Sequence, residues 1–359
     1  MGVCPSAAQA ELFEVISNVF KYLQPIKKAM NPNHCNRDNG VVTTALLLAA
    51  GKGSRLYPLT HNTPKCLTMV HEASILERLV INLSKQGFKR LVVVTGYQEK
   101  YIRAFLGTRA CGMTIDYIFS PLYATTNNIY SLWMAREIIN EPFLLIESDL
   151  VFDVSLLDDM RCPGRIAVAR MQPWMNGSTV TVNRSQHVKK FQNGIAGTFD
   201  EIRYKTVNIY SFSLASWHSI TERLDRYISA GRVNDYYETV FAEMVADGSL
   251  SLKTVSFDGK PWYEIDTVED LAEADKLFSA GTYKTKIPSD ITQHASGISK
   301  PFFQHVKSTG GETITRSLSK LRSLPQSNSL SLKRIREANI QENEVSPKNK
   351  SGGRMHGTV

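Results

Sequence analysis

No hydrophobic run in this chain approaches the roughly 20 residues that a membrane-spanning helix needs. The N-terminus also lacks the basic start and continuous apolar stretch of a secretory leader. Cysteine is scarce: Cys4, Cys35, Cys66, Cys111 and Cys162 are odd in number, widely spaced and without a Cys-x-x-Cys pair. That pattern argues against a zinc site or a disulfide framework and for a reducing, cytoplasmic setting. No Ser-His-Asp set and no histidine nucleophile can be picked out. Two common glycine fingerprints are missing as well. A dinucleotide loop needs a third glycine where this chain has Leu56, and a Walker A loop needs four residues between its glycines and then Lys-Ser/Thr. Met1-Gly2-Val3-Cys4-Pro5-Ser6 fits the myristoylation pattern, but so short a match arises easily by chance.

Charge is unevenly spread. The net +8 is carried by residues 281–359, which hold 13 Lys or Arg against 5 Asp or Glu, and the remainder is formally neutral. A nucleic-acid-binding core normally carries its own basic face, so no nucleic-acid partner is expected. Beyond residue 281, Ser, Lys, Gln and Asn dominate and no aromatic follows Phe303. Such a segment buries too little apolar surface to offset its ordering entropy, and 281–359 reads as a basic, disordered tail. The 359-residue chain is 42% hydrophobic and 21% charged, enough for a sizeable core.

Residues 7–29 place Leu12, Val15, Ile16, Val19, Phe20 and Leu23 at helical spacing. Residues 1–41 are therefore expected to be an amphipathic helix and linker, docking on the core or on a second copy in a homo-oligomer. From residue 42 strands and helices alternate. Strands are predicted at 43–50, 91–95, 113–119 and 143–146, with helices near 74–86, 99–106 and 129–139. The second half adds strands at 166–169, 179–182 and 207–212, and helices near 214–228, 235–245 and 268–278. This order predicts an α/β, Rossmann-like mixed sheet, mostly parallel, with helices on both faces over 42–280. The later strands form a cap over one side of that sheet. Ligands on such a sheet bind at the carboxyl ends of the strands.

At the first of those ends stands Ala49-Ala50-Gly51-Lys52-Gly53-Ser54-Arg55-Leu56, followed by Pro58 and by Thr63-Pro64-Lys65. Glycines let the backbone turn and approach a ligand closely. Their N–H groups, with nearby Lys and Arg, suit anionic oxygens. The stretch resembles the signature of nucleotidyltransferases that condense a nucleoside triphosphate with a phosphorylated small molecule. That resemblance implies nucleotide binding by Ala49, Ala50, Gly51, Gly53 and Ser54, and a catalytic grip on the triphosphate by Arg55 and Lys65.

Such a transfer needs charge neutralised as pyrophosphate leaves, which Mg²⁺ held by one or two carboxylates supplies. Asp149 and Asp266 each stand where a strand ends, although Asp266 has a competing reading as the cap of the next helix. A phosphate monoester is already largely ionised at neutral pH, so its oxygen attacks without a general base.

Further motifs are Asn127-Asn128-Ile129-Tyr130-Ser131-Leu132-Trp133, Trp174-Met175-Asn176-Gly177, the run from Tyr204 to Tyr210, and Tyr236-Tyr237-Glu238. With them, residues 43–279 resemble bacterial CTP:phosphocholine cytidylyltransferases and the related phosphonate cytidylyltransferases acting on 2-aminoethylphosphonate. The resemblance implies the nucleotidyltransferase fold for 42–280, CTP as donor and Asp149 and Asp266 as metal ligands. It puts Asn128 near the base, and Trp174, Tyr237, Glu238 and Glu264 around the acceptor's amine. Lys205 is expected to grip the acceptor's phosphate or phosphonate. Phosphocholine and 2-aminoethylphosphonate both stay open as acceptors. A sugar-1-phosphate nucleotidylyltransferase using UTP, dTTP or CTP is the alternative on the same fold.

Overall fold

A computed structural model describes residues 40–172, 175–193 and 202–279. The expected helix at 7–29, the tail from 281 and Trp174 lie outside the described residues. In chain order the strands are β1 (Thr44–Ala49), β2 (Met69–Val70), β3 (Ala73–Ser74), β4 (Arg90–Thr95), β5 (Arg109–Ala110), β6 (Met113–Phe119) and β7 (Phe143–Glu147). They continue as β8 (Leu150–Phe152), β9 (Arg165–Arg170), β10 (Ser178–Val182), β11 (Val188–Asn193), β12 (Tyr204–Phe212), β13 (Lys253–Ser256) and β14 (Trp262–Glu264). The helices are α1 (Ile75–Lys85), α2 (Glu99–Leu106), α3 (Asn128–Met134), α4 (Leu214–Ser229), α5 (Tyr237–Ala246) and α6 (Val268–Leu277).

The central sheet runs β11-β10-β12-β7-β1-β4-β6-β5, with β9 beside β12 and β13 beside β9. Strands β7, β1, β4 and β6 are parallel, and β12 joins β7 antiparallel. The reason is legible along β1. Its side chains alternate between faces, as any strand's do, and both faces are apolar. Ala45, Leu47 and Ala49 pack with Leu76, Leu79, Val80 and Leu83 of α1 and Ile102 and Phe105 of α2. Leu46 and Leu48 pack with Ile129 and Leu132 of α3, Trp217, Ile220 and Leu224 of α4, and Val240 and Phe241 of α5. A strand buried on both faces reads as a continuous hydrophobic run, as this one does. The expected mixed sheet with helices on both faces is the one observed.

Differences sit at the margins. The helix expected near 129–139 leaves α geometry after Met134, and a 3₁₀ turn covers Ala135–Glu137. Strand β11 was not anticipated, because its sequence Val-Lys-Lys-Phe-Gln-Asn is that of a polar sheet edge. The short ladder of β8 with β14 was not anticipated either. No helix among the described residues is long and apolar enough to cross a membrane.

Candidate active site

Parallel strands β1 and β7 end side by side, with Leu48 in register with Glu147. The glycine loop and the segment Glu147-Ser148-Asp149 therefore leave the sheet at the same edge. Gly53 adopts φ +61°, and a Cβ there would lie 2.9 Å from Lys65 Cβ, so both conformation and packing demand glycine. Gly51 faces open space, with nothing within 4 Å of where its Cβ would be. Thr60 Oγ1 donates to the Gly53 carbonyl at 2.7 Å and ties the loop down. Buried Leu56 anchors the following 3₁₀ turn, leaving Arg55 on its exposed side.

Asp149 and Asp266 are far apart in sequence and are brought together by β8 and β14. That antiparallel pair sets Leu150 opposite Glu264, and Ile265 N donates to the Asp149 carbonyl at 2.9 Å. Lys65 Nζ then lies 2.8 Å from Asp149 Oδ2 and 2.7 Å from Asp266 Oδ1, and Arg55 Nη2 lies 2.8 Å from the same Asp266 oxygen. Burial acts to lower the Lys65 pKa, but Asp149 and Asp266 outweigh it and hold the ammonium well above its ordinary value.

The cap of α6 is Thr267, not Asp266. Thr267 Oγ1 accepts from Asp270 N while Asp270 Oδ2 accepts from Thr267 N, a reciprocal capping box. The competing reading of Asp266 as a cap thereby falls, and its carboxylate turns to Lys65 and Arg55.

Could this pair hold a divalent cation? Asp149 Oδ1 is buried and has no hydrogen-bond partner, which leaves one oxygen uncommitted beside a second carboxylate. Among the described residues no group of three or more potential ligands gathers. Two carboxylates suit Mg²⁺, which completes its shell with phosphate oxygens and water. The residues fit.

Beyond the aspartates lies a second, deeper group. Glu147, Glu238 and Glu264 come from the end of β7, the first turn of α5 and the end of β14. Tyr237 Oη donates to Glu147 Oε1 at 2.7 Å, and Asn128 Nδ2 donates to the same oxygen at 3.1 Å. Burial drives the Glu147 carboxyl well above the ordinary carboxylate range, with Asp149 and Glu238 adding to it. Burial also pushes Glu238 up to about 7, although Lys205 and Asn128 oppose it. Glu238 is 6% exposed, and its Oε2 has no hydrogen-bond partner among the described residues.

The structure brings most of the expected residues to this edge but changes how three are used. Asn128, expected at the base, has both ends of its amide engaged in the carboxylate group: Nδ2 on Glu147, Oδ1 accepting from Tyr237 N at 3.1 Å. Lys205, expected on the acceptor's phosphate, is 3% exposed, pairs with Glu264 Oε2 at 3.0 Å and donates to the Thr206 carbonyl at 2.7 Å. The Tyr237 ring is fully buried, edge-on to Tyr210 and tilted against Phe241, so it belongs to the core. Trp174 lies outside the described residues. Glu147 was missed, although its signal was present: it sits two positions before Asp149 at a strand's end. Asn208, whose Nδ2 donates to Glu264 Oε1 at 3.1 Å, was missed as well.

Residues 44–165 match the family model described as nucleotidyl transferase. The chain carries a nucleotidyl transferase domain. The glycine loop, Lys65, Asn128, Glu147 and Asp149 lie within that match, and Glu238, Glu264 and Asp266 follow it in the chain. Among curated proteins, the CMP-5'-(3-aminopropyl)phosphonate synthase of Streptomyces rubellomurinus is 30% identical over 67% of this chain, which spans 40% of that relative's length. The choline-phosphate cytidylyltransferase of Streptococcus pneumoniae is 25% identical over 65% of this chain and 97% of its own. The 2-aminoethylphosphonate cytidylyltransferase of Lancefieldella rimae is 26% identical over 66% of this chain and 94% of its own. Among solved structures, the CTP:phosphocholine cytidylyltransferase of Streptococcus pneumoniae shares the fold of the transferase domain. Its TM-score is 0.57 at 21% identity, covering 66% of this chain and 99% of that one.

Proposed function

We propose that the enzyme transfers CMP from CTP to a small acceptor carrying a phosphate or phosphonate at one end and a cationic amine at the other. The observation that carries this reading is the adjacency of two unlike sites. One is the loop with Lys65, Arg55, Asp149 and Asp266, rich in groups for anionic oxygens and a cation. The other is a buried carboxylate pocket with an uncommitted oxygen on Glu238. One strand end gives Glu147 to the pocket and Asp149 to the loop cluster, and another gives Glu264 and Asp266 in the same way. A cationic amine compensates such a buried carboxylate by charge as well as by hydrogen bonding, whereas a sugar hydroxyl offers only a neutral donor.

In this reading the glycine loop and Arg55 receive the triphosphate, and Lys65 holds positive charge beside the α-phosphate. Asp149 and Asp266 would hold Mg²⁺, which supplies further charge against the developing pyrophosphate. An acceptor oxygen, already ionised at neutral pH, forms a bond to the α-phosphorus as the bond to the bridging oxygen of pyrophosphate breaks. No proton has to move, so orientation and charge suffice. The pocket orients the acceptor: Glu238 takes its cation, while Tyr237 and Asn128 hold Glu147 in place. The relatives' names, which pair CTP chemistry with phosphocholine and aminoalkylphosphonates, support the same donor and class of acceptor.

The test is pyrophosphate release from CTP, UTP, dTTP, ATP and GTP, each with phosphocholine, 2-aminoethylphosphonate and glucose-1-phosphate. CTP with one of the two cationic acceptors should lead. Asp149→Asn and Asp266→Asn should each lower turnover at least about 100-fold, as a neutral amide binds Mg²⁺ poorly. A preference for glucose-1-phosphate would sink the reading. Wild-type rates in Asp266→Asn across a Mg²⁺ titration would remove that residue from the metal site.

A further inference from the structure

Strand β12 is irregular at its centre. Its register against β9 shifts between Thr206 and Tyr210. Within the shift, Asn208 holds φ +58°, a left-handed conformation. Few residues besides glycine tolerate that region, and asparagine is one of them. Bulges of this kind re-aim side chains, often next to active sites. Here the amide is turned into the carboxylate pocket. Nδ2 donates to Glu264 Oε1 at 3.1 Å, and Oδ1 accepts from Thr206 Oγ1 at 3.0 Å. Three residues earlier on the same strand, Lys205 Nζ pairs with Glu264 Oε2 at 3.0 Å. Both oxygens of Glu264 are thus held from one strand, one from within the bulge and one from just before it.

We propose that Asn208 is a positioning residue, which acts through Glu264 to give the acceptor a single pose against the Lys65–Asp149–Asp266 cluster. The proposal rests on the reading of the carboxylate pocket as the acceptor site. With Glu264 satisfied by Asn208 and Lys205, the acceptor's cation is received by Glu238 Oε2, since the other buried carboxylate oxygen without a partner, Asp149 Oδ1, belongs to the Lys65 cluster. Without the Asn208 amide, Glu264 Oε1 becomes a second receiver. The cation then divides between two carboxylates, and the reacting oxygen loses its alignment with the α-phosphorus. Misalignment lowers the rate of the bound complex rather than its formation. The expected signature is therefore a fall in kcat with the KM for CTP unchanged and the KM for the acceptor unchanged or lowered.

Asn208→Gly keeps the left-handed backbone accessible and removes only the amide. It should melt close to wild type, lose kcat tenfold or more with the preferred cationic acceptor, and keep the KM for CTP within twofold. Asn208→Asp tolerates the same backbone but puts a carboxylate where the donor was, and should lose at least as much. If Asn208→Gly does not fold, Asn208→Asp carries the comparison. Since Asn208 acts through Glu264, the pair Asn208→Gly with Glu264→Gln should be no slower than Glu264→Gln alone. A kcat within twofold of wild type in a folded variant, or losses that multiply in the double variant, would overturn the positioning role. A wild-type enzyme inert with every cationic acceptor would instead overturn the acceptor reading beneath it.

Discussion

Glu238, like Asp149, has a buried oxygen with no hydrogen-bond partner among the described residues, but it stands in the carboxylate group away from the Lys65 cluster. Burial already pushes its pKa up to about 7, so near neutrality the pocket is poised between a neutral acid and a carboxylate. Only the carboxylate receives a cation well. The groups facing it are Lys205, Asn128, Glu147, Glu264, Tyr210 and Tyr237, and Lys205 alone among these opposes the rise by its charge. The acceptor's own phosphate or phosphonate titrates nearby, about pH 6, so a single pH profile would be ambiguous. Comparison with Glu238→Gln separates the two. In wild type, kcat/KM for the cationic acceptor should rise through about pH 7 in excess of the acceptor's own titration, and that excess should vanish in Glu238→Gln. The variant should lose about 10- to 100-fold with 2-aminoethylphosphonate at pH 8, and less with phosphocholine. The reason is that a primary ammonium donates directional bonds to a charged oxygen whereas a quaternary one has no N–H. Superimposable pH profiles for the two proteins would remove Glu238 from acceptor binding. The raised pKa has a consequence for folding as well. The native state retains a proton that the unfolded chain gives up above about pH 4.3. Relative to Glu238→Gln, unliganded wild type therefore loses stability as pH rises from there through 7.

At the scale of elements, the two-residue offset between Glu147 and Asp149 and that between Glu264 and Asp266 do the same job. Each strand end contributes one acid to the pocket and one to the Lys65 cluster. β14 is only three residues long, and the backbone just after it is fixed by the capping box of α6. Asp270 Oδ2 accepts from Asp266 N at 3.1 Å as well as from Thr267 N at 2.8 Å. Thr267→Ala should therefore destabilise by about 1 kcal/mol, read as a melting point lower by roughly 2–4 °C. It should also raise the Mg²⁺ concentration needed for half-maximal rate, because Asp266 loses its anchored backbone. An unchanged melting point with an unchanged Mg²⁺ requirement would show that the cap has no bearing on Asp266. This ladder also marks the limit of what the sequence reveals. β1, β4, β6 and β7 are long apolar runs, and their periodicity announced them. Asp149 could be singled out because it follows one of those runs, and Asp266 because a strand gives way to a helix there. The pairing of β8 with β14, the edge strand β11 and the bulge at Asn208 depend on contacts between distant segments, which leave no local period. Lys205 was expected on the acceptor's phosphate or phosphonate because a lone lysine in a strand carries no sign of the glutamate that will meet it.

At the scale of the whole molecule, the described residues with chemistry lie between Ala49 and Asp270, while the net charge resides beyond residue 281. The two are separated by α6 and by Phe278, which is 1% exposed and packs among Leu56, Val70, Ile75, Val151 and Ile265. Leu56 belongs to the turn that carries Arg55, so this small cluster supports the triphosphate side of the site. A chain ended before Phe278 would open that cluster, at a cost of about 3–5 kcal/mol for a buried phenylalanine. A chain ended near Thr282 leaves it whole. The expected outcome is that residues 1–282 keep kcat and both KM values within twofold of the full chain, and that a version ending at Lys276 melts lower and loses affinity for CTP. The +8 of residues 281–359 would then act independently of catalysis, as salt-sensitive attraction to anionic surfaces over a screening length of about 8 Å. The full chain should bind anionic vesicles at 50 mM salt and release them at 500 mM, and residues 1–282 should not bind at either. If residues 1–282 fold, by circular dichroism, yet turn over tenfold more slowly, the tail takes part in the reaction and the division between the charged segment and the catalytic one is wrong.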